Sequence, residues 1–391
     1  MTARISKKTS RGFSLVELMV GMLIALISTL AILQVFTFFE GQKRTTTSGS
    51  DALQSGAIAL YQIERDIRQA GYGFNSLTLM GCTIKAYDEG TGTPYEFDFK
   101  LIPVQIVQGV GTNPDTITIS YGNSPLQAAP ALITADYNGS AANFKVNNRF
   151  GFKEGDLVVI AEPGKDCTLA QVTGLPAAAD ACGGGGSAAQ TDNIIHNSGN
   201  YKDPNQGCQQ VAARYNKPSG LGIAYNVNSP VFNLGGMPTI NEYSIQNNQL
   251  MVRNVLTPDP AVAIMDGVVS MHAQYGFDTR AGIISDLRVD PDTGYSDTMV
   301  DADGNGVIGD GGDLSRIGSV RLVVVARSGL REKPDPATGL CNVTSAASFS
   351  LNWAAGAISL PDDADGTSWQ CYRYKTFETT VPVRNMIWRP A

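Results

Sequence analysis

The sequence has little charge and few of the side chains that build metal sites. Only 17% of its 391 residues are charged, and the only histidines are His196 and His272. Structural zinc sites need closely spaced cysteine and histidine ligands, and no Cys-x-x-Cys pair occurs, so zinc is not expected. The formal net charge of −7 also argues against general nucleic-acid binding, because phosphate contacts need clustered Lys and Arg.

Catalytic motifs are missing as well. The sequence contains no Gly-x-Ser-x-Gly nucleophile elbow and no His-Glu-x-x-His metalloprotease motif. The two histidines lie far apart, so neither pairs with a nucleophile in sequence. His272 falls in a strand-prone run, where packing on the strand surface explains it. We therefore expect a protein that is not an enzyme.

Basic residues are concentrated at the N-terminus. Residues 1–12 contain Arg4, Lys7, Lys8 and Arg11 and no acid, so this segment contributes +4 and the remaining chain carries −11. A basic tip before an acidic body indicates that the two ends face different compartments. The hydrophobic fraction of 43%, with 42 Gly and 19 Pro, is typical of a folded, turn-rich protein rather than a disordered one.

A long apolar segment follows the basic tip. Residues 18–39 carry no charge, and as a helix with a rise of about 1.5 Å per residue they span a bilayer core of about 30 Å. No small-residue cleavage site closes the segment, so we expect the helix to stay in the mature protein. The basic tip should remain cytoplasmic. Glu17 begins the segment, and a carboxylate near hydrocarbon is costly unless it is paired or lies at the headgroup level.

The N-terminal residues resemble a known processing signal. Residues 11–19, Arg-Gly-Phe-Ser-Leu-Val-Glu-Leu-Met, are similar to the prepilin-type signal of type IV pilins and type II secretion pseudopilins. The resemblance implies that a prepilin peptidase cleaves after Gly12 and methylates the new N-terminal Phe13. It places Glu17 at the fifth mature position. A charged α-amine buried in a filament needs a counter-ion, which the Glu17 carboxylate of a neighbouring subunit would supply.

Three C-terminal stretches narrow the resemblance. Residues 266–278, 319–328 and 377–385 are similar to the PilW family of minor type IV pilins, which is related to the J-type minor pseudopilin of type II secretion. The resemblance implies several partners: the prepilin peptidase, other minor pilins and the major pilin, the inner-membrane assembly platform, and a PilY-type tip adhesin. Residues 76–240 resemble no family that we can name.

Helical periodicity returns after the apolar segment. Residues 40–50 are polar and rich in Thr and Ser, which predicts either a weakened helix or a break. Beyond them, apolar residues recur at a spacing of three and four: Leu53, Leu60, Ile63, Ile67 and Ala70. Gly71 and Gly73 predict the end of this helix.

The rest of the chain has the pattern of a β-rich domain. Strand-prone runs separated by turn residues occur at 104–110, 116–121, 157–161, 243–245 with 250–252, 268–277, 320–326 and 377–383. Residues 176–187 predict a surface loop. We expect an α+β, pilin-like fold in which a long N-terminal helix, membrane span plus amphipathic half, packs on a large antiparallel β-rich domain. The predicted boundaries are 1–12 for the leader, 13–75 for the helix and 76–391 for the globular domain.

The six cysteines predict disulfides. An even number of cysteines in an exported chain is typical of up to three disulfides, and six cysteines allow 15 pairings. The preferred pairing is Cys167–Cys182, Cys341–Cys371 and, by elimination, Cys82–Cys208. The alternative is that the cysteines are reduced and buried.

An acidic segment resembles half of a calcium-binding loop. Acids at alternating positions on a tight glycine turn can converge oxygen ligands on one calcium ion. The candidate ligands are Asp301, Asp303, Asn305, the Val307 carbonyl, Asp310 and Asp313. Gly312 stands where the loop normally has a glutamate, which leaves an acidic surface turn as the alternative.

The sequence therefore predicts a minor type IV pilin, a structural subunit that primes pilus assembly or lies near the tip. It would sit in the inner membrane with its body in the periplasm and then move into a pilus on the cell surface. The alternatives are a type II secretion minor pseudopilin, a tip adhesin or ligand-binding module formed by residues 76–240, and a membrane-tethered periplasmic enzyme that keeps residues 1–12.

Overall fold

The fold is described from a computed structural model. The residues described are 12, 14–74, 79–90, 94–125, 130–176, 182, 192–282, 284, 286–335, 337–341, 343–345, 352–363 and 365–387, without the side chains of residues 44, 45, 48 and 352. Phe13 and most of the predicted loop at 176–187 lie outside this set. The chain divides into two compact units, Met1–Asp51 and Ala52–Ala391, and each is described by itself.

One long helix, α1, runs from Leu15 to Gln69 and contributes to both units. In the first unit it contains an apolar stretch of 29 residues, Leu15–Lys43, which has no buried residues and is long enough to cross a membrane. An 18-residue window of this stretch has a mean hydropathy of 2.4. The helix continues through residues 40–50, so a break there, one of the two predicted alternatives, is wrong. The Thr46 hydroxyl donates to the Gln42 carbonyl of the preceding turn at 3.1 Å. Gly41 and Gly49 do not interrupt the helix, because a glycine lowers helix stability by only about 1 kcal/mol relative to alanine.

In the second unit, the end of α1 packs one face into a hydrophobic core. Ile63, Ile67 and Ala70 are fully buried, as the spacing predicts, but Leu53 is 48% exposed. The buried face continues instead through small residues. A Cβ on Gly56 would lie 2.1 Å from the ring of Phe377, so only glycine allows this strand residue to approach the helix so closely.

The helix ends where glycines take up left-handed backbone conformations. Gly71 has φ of 81° and Gly73 has φ of 91°, which residues with a Cβ rarely adopt. The side-chain amide of Asn385 donates to the carbonyls of Gln69 and Ala70 at 2.9 and 3.1 Å. The far end of the chain therefore satisfies two carbonyls at the end of the helix.

A six-stranded sheet has the order β2-β1-β8-β7-β12-β5. Its strands are β1 Thr83–Asp88, β2 Tyr95–Lys100, β5 Ala131–Leu132, β7 Leu157–Ile160, β8 Cys167–Gln171 and β12 Pro230–Gly235. Its pairs are antiparallel except β1 with β8, which is parallel. Strands β7 and β8 are buried along their whole length, so hydrophobic cores cover both faces at this point.

A five-stranded antiparallel sheet has the order β15-β14-β13-β4-β3. Its strands are β3 Val104–Val107, β4 Thr116–Tyr121, β13 Thr239–Gln246, β14 Gln249–Asn254 and β15 Val262–Asp266. Asn247 and Asn248 form the turn between β13 and β14, with φ of 51° and 61°. Two-residue hairpin turns favour asparagine in these left-handed conformations.

A four-stranded antiparallel sheet has the order β17-β16-β18-β21. Its strands are β16 Val268–Phe277, β17 Tyr295–Ser296, β18 Ile317–Arg327 and β21 Tyr374–Pro382. One face shares a core with α1 and the five-stranded sheet, and the opposite face is covered by a smaller cluster that includes Cys341 and Cys371.

Short elements complete the described structure. Three two-stranded sheets pair β6 Asn143–Lys145 with β9 Asn193–Ile195, β10 Asn200–Asp203 with β11 Gln209–Ala212, and β19 Asn352–Trp353 with β20 Gly356–Ala357. The short helices are α2 Gly311–Leu314 and α3 Arg384–Ile387, with 3-10 turns at Pro204–Gln206 and Trp369–Cys371. The predicted α+β fold, with its long apolar helix and large antiparallel β-rich domain, is confirmed.

The cysteines form three disulfides. The predicted bond Cys341–Cys371 is present, with the two Cα atoms 4.9 Å apart. The other two predicted pairs are wrong, because the structure joins Cys82 to Cys167 and Cys182 to Cys208. The parallel pairing of β1 with β8 sets Ile84 opposite Cys167 and so brings Cys82 within reach of it. The alternative of reduced, buried cysteines is also wrong, because all six cysteines belong to these three disulfides.

Candidate functional site

The first turn of α1 holds Glu17 in a capping box. The Ser14 backbone N–H donates to the Glu17 carboxylate at 2.9 Å, and the Val16 N–H donates to the Ser14 hydroxyl at 3.2 Å. These two bonds satisfy backbone donors that have no partner inside the helix. The Ser-x-x-Glu pattern at residues 14–17 is a sequence signature of this motif, so the capping box is visible in the sequence itself.

The predicted cleavage position lies directly before this turn. Gly12 is exposed and non-helical, and α1 begins at Leu15. The Glu17 carboxylate is directed toward the same end of the helix, because it accepts from Ser14. Phe13 falls outside the described residues. A carboxylate in this position can receive either a backbone N–H or an ammonium group.

The acidic loop brings three carboxylates together. Oxygen atoms of Asp301, Asp303 and Asp313 lie within 4.8 Å of one another. Gly304, Gly306 and Gly309 have positive φ, so the loop folds tightly enough for backbone N–H groups to face inward. Asp301 accepts from the N–H groups of Gly304, Asn305 and Gly306 at 2.8, 3.0 and 2.9 Å.

Asp313 is the buried member of this group. It accepts from the N–H groups of Ala302, Asp303 and Gly309 at 2.6, 3.1 and 2.7 Å, and it is 0% exposed. A Cβ on Gly312 would lie 1.9 Å from the Asp303 carboxylate, so a side chain at this position would displace it. The group could hold a metal ion, and hard carboxylate oxygens suit calcium or magnesium better than zinc.

Of the other predicted ligands, Asp310 is not part of the group of three carboxylates. The Asn305 side-chain amide donates to Asp303 at 3.0 Å and to Asp310 at 2.7 Å. Asp310 also caps α2 by accepting from the Asp313 N–H at 3.1 Å. The hydrogen bond from Asn305 lowers the pKa of Asp310. Val307 is exposed, and its N–H donates to the Asn305 side chain at 2.7 Å.

A Ser-His-Asp hydrogen-bonded chain occurs on β16. The Ser270 hydroxyl lies 3.1 Å from His272 Nε2, and His272 Nδ1 lies 3.1 Å from Asp115. Asp115 also accepts from the N–H groups of Gly109 and Ala273 at 3.0 and 2.9 Å. This group was not predicted from the sequence, because Ser270 and His272 are neighbours on one strand face while Asp115 comes from a distant loop. Ser270 and Asp115 are each only 1% exposed, so the chain is suited to holding the loop against the strand.

A second buried carboxylate joins α1 to the five-stranded sheet. Asp66 is 1% exposed and accepts from the hydroxyls of Tyr243 at 2.7 Å and Tyr121 at 3.2 Å. The Asn241 side-chain amide donates to it at 3.3 Å, and Arg65 forms an ion pair with it at 3.2 Å. Burial, followed by the hydrogen bond to Asp66, raises the pKa of Tyr243. The apolar spacing of the helix did not indicate that Asp66 would be buried.

Comparison with known families gives two matches. Residues 7–33 match the model of the prokaryotic N-terminal methylation motif. The motif, the apolar helix and the antiparallel β-rich body are together features of type IV pilin-like subunits. Residues 235–385 match the family model of PilW, the type IV pilus-assembly protein W. The resemblance to the PilW family is therefore confirmed, as expected for a PilW-family minor pilin. No curated protein and no solved structure shows a significant match to the chain.

Proposed function

We propose that this protein is a minor pilin that primes assembly of a type IV pilus or lies near its tip. The observation that carries the proposal is the presence of both matches in one chain, the methylation motif at residues 7–33 and the PilW domain at 235–385. The first implies processing and membrane anchoring, and the second implies a role in pilus assembly. The type II secretion minor pseudopilin shares the first feature, so the second favours the pilus.

The proposed mechanism has three steps. The basic leader, residues 1–12, holds the subunit in the inner membrane with its N-terminus cytoplasmic and its body periplasmic. Prepilin peptidase then cleaves after Gly12 and methylates Phe13. The apolar helix finally moves from lipid into a bundle of equivalent helices. This transfer exchanges one apolar environment for another, so helix packing and the Glu17–amine pair should set specificity rather than hydrophobic gain.

The proposed partners follow from the same steps. They are the prepilin peptidase, the assembly platform, the major pilin and the other minor pilins, with a PilY-type adhesin at the tip. The proposed mature helix is 13–75, and the proposed exported domain is 76–391. Residues 76–240 lie almost entirely before the PilW match, which leaves room for a binding role alongside assembly.

A gene deletion tests the pilus role. We expect cells that lack this protein to lose surface pili, as counted by electron microscopy, and to secrete type II substrates normally. Expression of the intact chain should restore the pili. Normal piliation with lost secretion would instead identify a pseudopilin.

We also propose that the protein has no catalytic activity. Ser270 is the one described serine in a Ser-His-Asp chain, and its burial at 1% exposure keeps it from reaching a substrate carbonyl. Treatment of the folded protein with a fluorophosphonate, which reacts with activated serines, should therefore give no adduct by intact mass. An adduct on Ser270 that His272→Ala abolishes would contradict this proposal.

Calcium is the proposed occupant of the acidic loop. The three converging carboxylates offer only hard oxygen donors to an ion. Backbone N–H groups of the loop donate to these carboxylates and hold them in place. Calcium accepts irregular oxygen coordination more readily than magnesium does, which favours it at a loop that has no glutamate at the twelfth position.

A further inference from the structure

A pocket of about 210 Å³ lies beside the four-stranded sheet. The β13–β14 turn contributes Asn247 and Asn248 to its lining, and the segment 360–363 lies across from them. Pro114, Leu360 and Pro361 supply apolar walls. A pocket of this volume suits one small ligand.

The two asparagines are presented from a fixed backbone. Both have left-handed φ, and the Gly267 N–H donates to the Asn248 carbonyl at 2.9 Å, which ties the turn to the start of β16. Within the described part of the chain, neither side-chain amide makes a hydrogen bond. Each carboxamide therefore offers two donors and an acceptor to a ligand.

The charged groups of the pocket are held in place by each other. Arg327 pairs with Asp363 at 2.6 Å and lies over the ring of Tyr372, 4.0 Å from its centroid. The Tyr372 hydroxyl also donates to Asp363 at 2.8 Å. Asp362 accepts from the Trp369 N–H through one oxygen at 3.0 Å and is exposed. Its other oxygen is available as an acceptor.

The charges discriminate between ligand classes. A phosphate or carboxylate would face Asp362 and Asp363, and like charges in one site are unfavourable. Asp362 would attract a lysine or other cation, but the Arg327 guanidinium in the same pocket would repel it. A neutral ligand rich in hydroxyls avoids both penalties, because its O–H groups can donate to Asp362 and exchange hydrogen bonds with the two carboxamides. Its C–H face can lie against the prolines and Leu360.

We propose that this pocket binds one hexose-sized unit of a neutral carbohydrate. The proposal goes beyond the pilin role and is independent of it, since the pocket would bind a sugar whether or not the chain enters a filament. A single sugar unit has about twelve non-hydrogen atoms, so its Kd should be on the order of 1 mM. Several such pockets on one cell, or longer glycans, would raise the effective affinity.

Saturation-transfer NMR on the full chain tests the proposal. The protein is held in an amine-oxide detergent, because a glycoside detergent would compete for the pocket. The probes are the methyl glycosides of glucose, galactose, mannose and N-acetylglucosamine. We expect at least one to bind with a millimolar Kd, and we expect Asn248→Gly and Asp362→Ala each to weaken that binding at least tenfold.

A matched control separates the pocket from general effects. Asn228 also has positive φ, 73°, and does not line the pocket, so Asn228→Gly makes the same chemical change at another left-handed turn. This variant should bind the sugar like the parent protein. Glycine also preserves the β13–β14 turn, so a circular dichroism melt of Asn248→Gly should match that of the parent.

Three results would overturn the proposal. The first is that none of the four glycosides binds at a concentration 50-fold above the expected Kd. The second is that a glycoside binds but both Asn248→Gly and Asp362→Ala leave its Kd unchanged. The third is that inorganic phosphate or lysine methyl ester, at a concentration equal to that of the glycoside, displaces it.

Discussion

The Glu17 carboxylate has two competing partners at the residue scale. In the single chain it accepts from the Ser14 N–H in a capping box, and in a filament it would pair with the ammonium of a neighbouring Phe13. The carboxylate already makes its bond to the N–H charge-assisted, but an ammonium adds a full opposite charge, so in the low-dielectric core of a filament the ammonium should replace the N–H. The capping geometry keeps the carboxylate directed toward the end of the helix until then.

Glu17→Ala should therefore leave membrane insertion and cleavage largely intact but reduce incorporation into filaments. Immunoblots of membranes and sheared pili measure both steps. Glu40→Ala, which removes a carboxylate from the same helix, is the matched control and should incorporate normally. Ser14→Ala removes only the cap, worth about 1 kcal/mol, and should also incorporate. Normal incorporation of Glu17→Ala would remove the role assigned to this carboxylate.

Asp66 is a second carboxylate that we expect to be important, in this case for the stability of the fold. Its loss would leave the hydroxyls of Tyr243 and Tyr121 buried without an acceptor. We expect Asp66→Ala to lower the free energy of unfolding by about 3 kcal/mol, as measured by urea denaturation. Asp98→Ala breaks an exposed pair with Lys85 and should change the free energy of unfolding much less, because solvent screens exposed pairs. Equal effects from the two variants would contradict this account.

His196 should make stability depend on pH. Its burial lowers its pKa to about 4 from an ordinary value of 6.5, and it stacks on the ring of Phe144 with centroids 5.4 Å apart. The unfolded chain binds the proton more tightly, so stability is full above pH 6.5 and falls as pH decreases toward 4. The loss amounts to about 3 kcal/mol.

The variant His196→Phe removes this titration while keeping an aromatic ring in the site. Urea denaturation at pH 7 and pH 4 should therefore show a smaller difference for the variant than for the parent, by about 3 kcal/mol. Carboxylates that titrate in the same range affect both proteins alike. An unchanged difference would show that His196 does not titrate as described.

Among the elements, the acidic loop between β17 and α2 gives a direct test of calcium. Ligand at one hundred times its Kd stabilises a folded protein by about 2.7 kcal/mol. Calcium should therefore raise the melting temperature of the full chain by a few degrees, and Asp301→Ala with Asp303→Ala should abolish the shift. Asp259→Ala, an exposed acid elsewhere, should retain it. A parent protein that shows no shift would rule out the metal site.

Sequence patterns predicted the positions of several strands but not how the strands pair. Strands β4 and β16 coincide with the predicted runs at 116–121 and 268–277, because each is bounded by turn residues and rich in β-branched or aromatic side chains. The order of strands in the sheets was not predicted. The Cys82–Cys167 bond depends on the parallel pairing of β1 with β8, a contact between segments 85 residues apart, which no local pattern indicates.

In the helix and in the acidic loop, the sequence predicted only some of the side chains that make the important contacts. Spacing identified Ile63, Ile67 and Ala70 as buried, but Leu53 lies outside the core. Ala52 and Ala59 are buried instead, and Phe377 approaches the helix closely at Gly56. In the loop, Asp301, Asp303 and Asp313 converge, whereas Asn305 and Asp310 bind each other. Backbone N–H groups decide which oxygens face inward, and the sequence does not show their directions.

For the whole molecule, the two family matches and the fold support one account. The methylation motif and the apolar helix fit a membrane-anchored pilin, and the β-rich body contains the PilW match, three disulfides and two candidate binding sites. The three disulfides fit an exported body, because such bonds persist in oxidising compartments. Both the processing at Gly12 and the final location in a pilus follow from this account as proposals.

Mass spectrometry of the mature N-terminus tests the central claim most directly, on protein purified from membranes and from sheared surface filaments. The account predicts a chain that begins with N-methylated Phe13 in both samples. Its presence in filaments would also favour a pilus subunit over a secretion pseudopilin. A chain that still begins at Met1, or one cleaved after the apolar segment, would contradict the account and revive the membrane-tethered enzyme as an alternative.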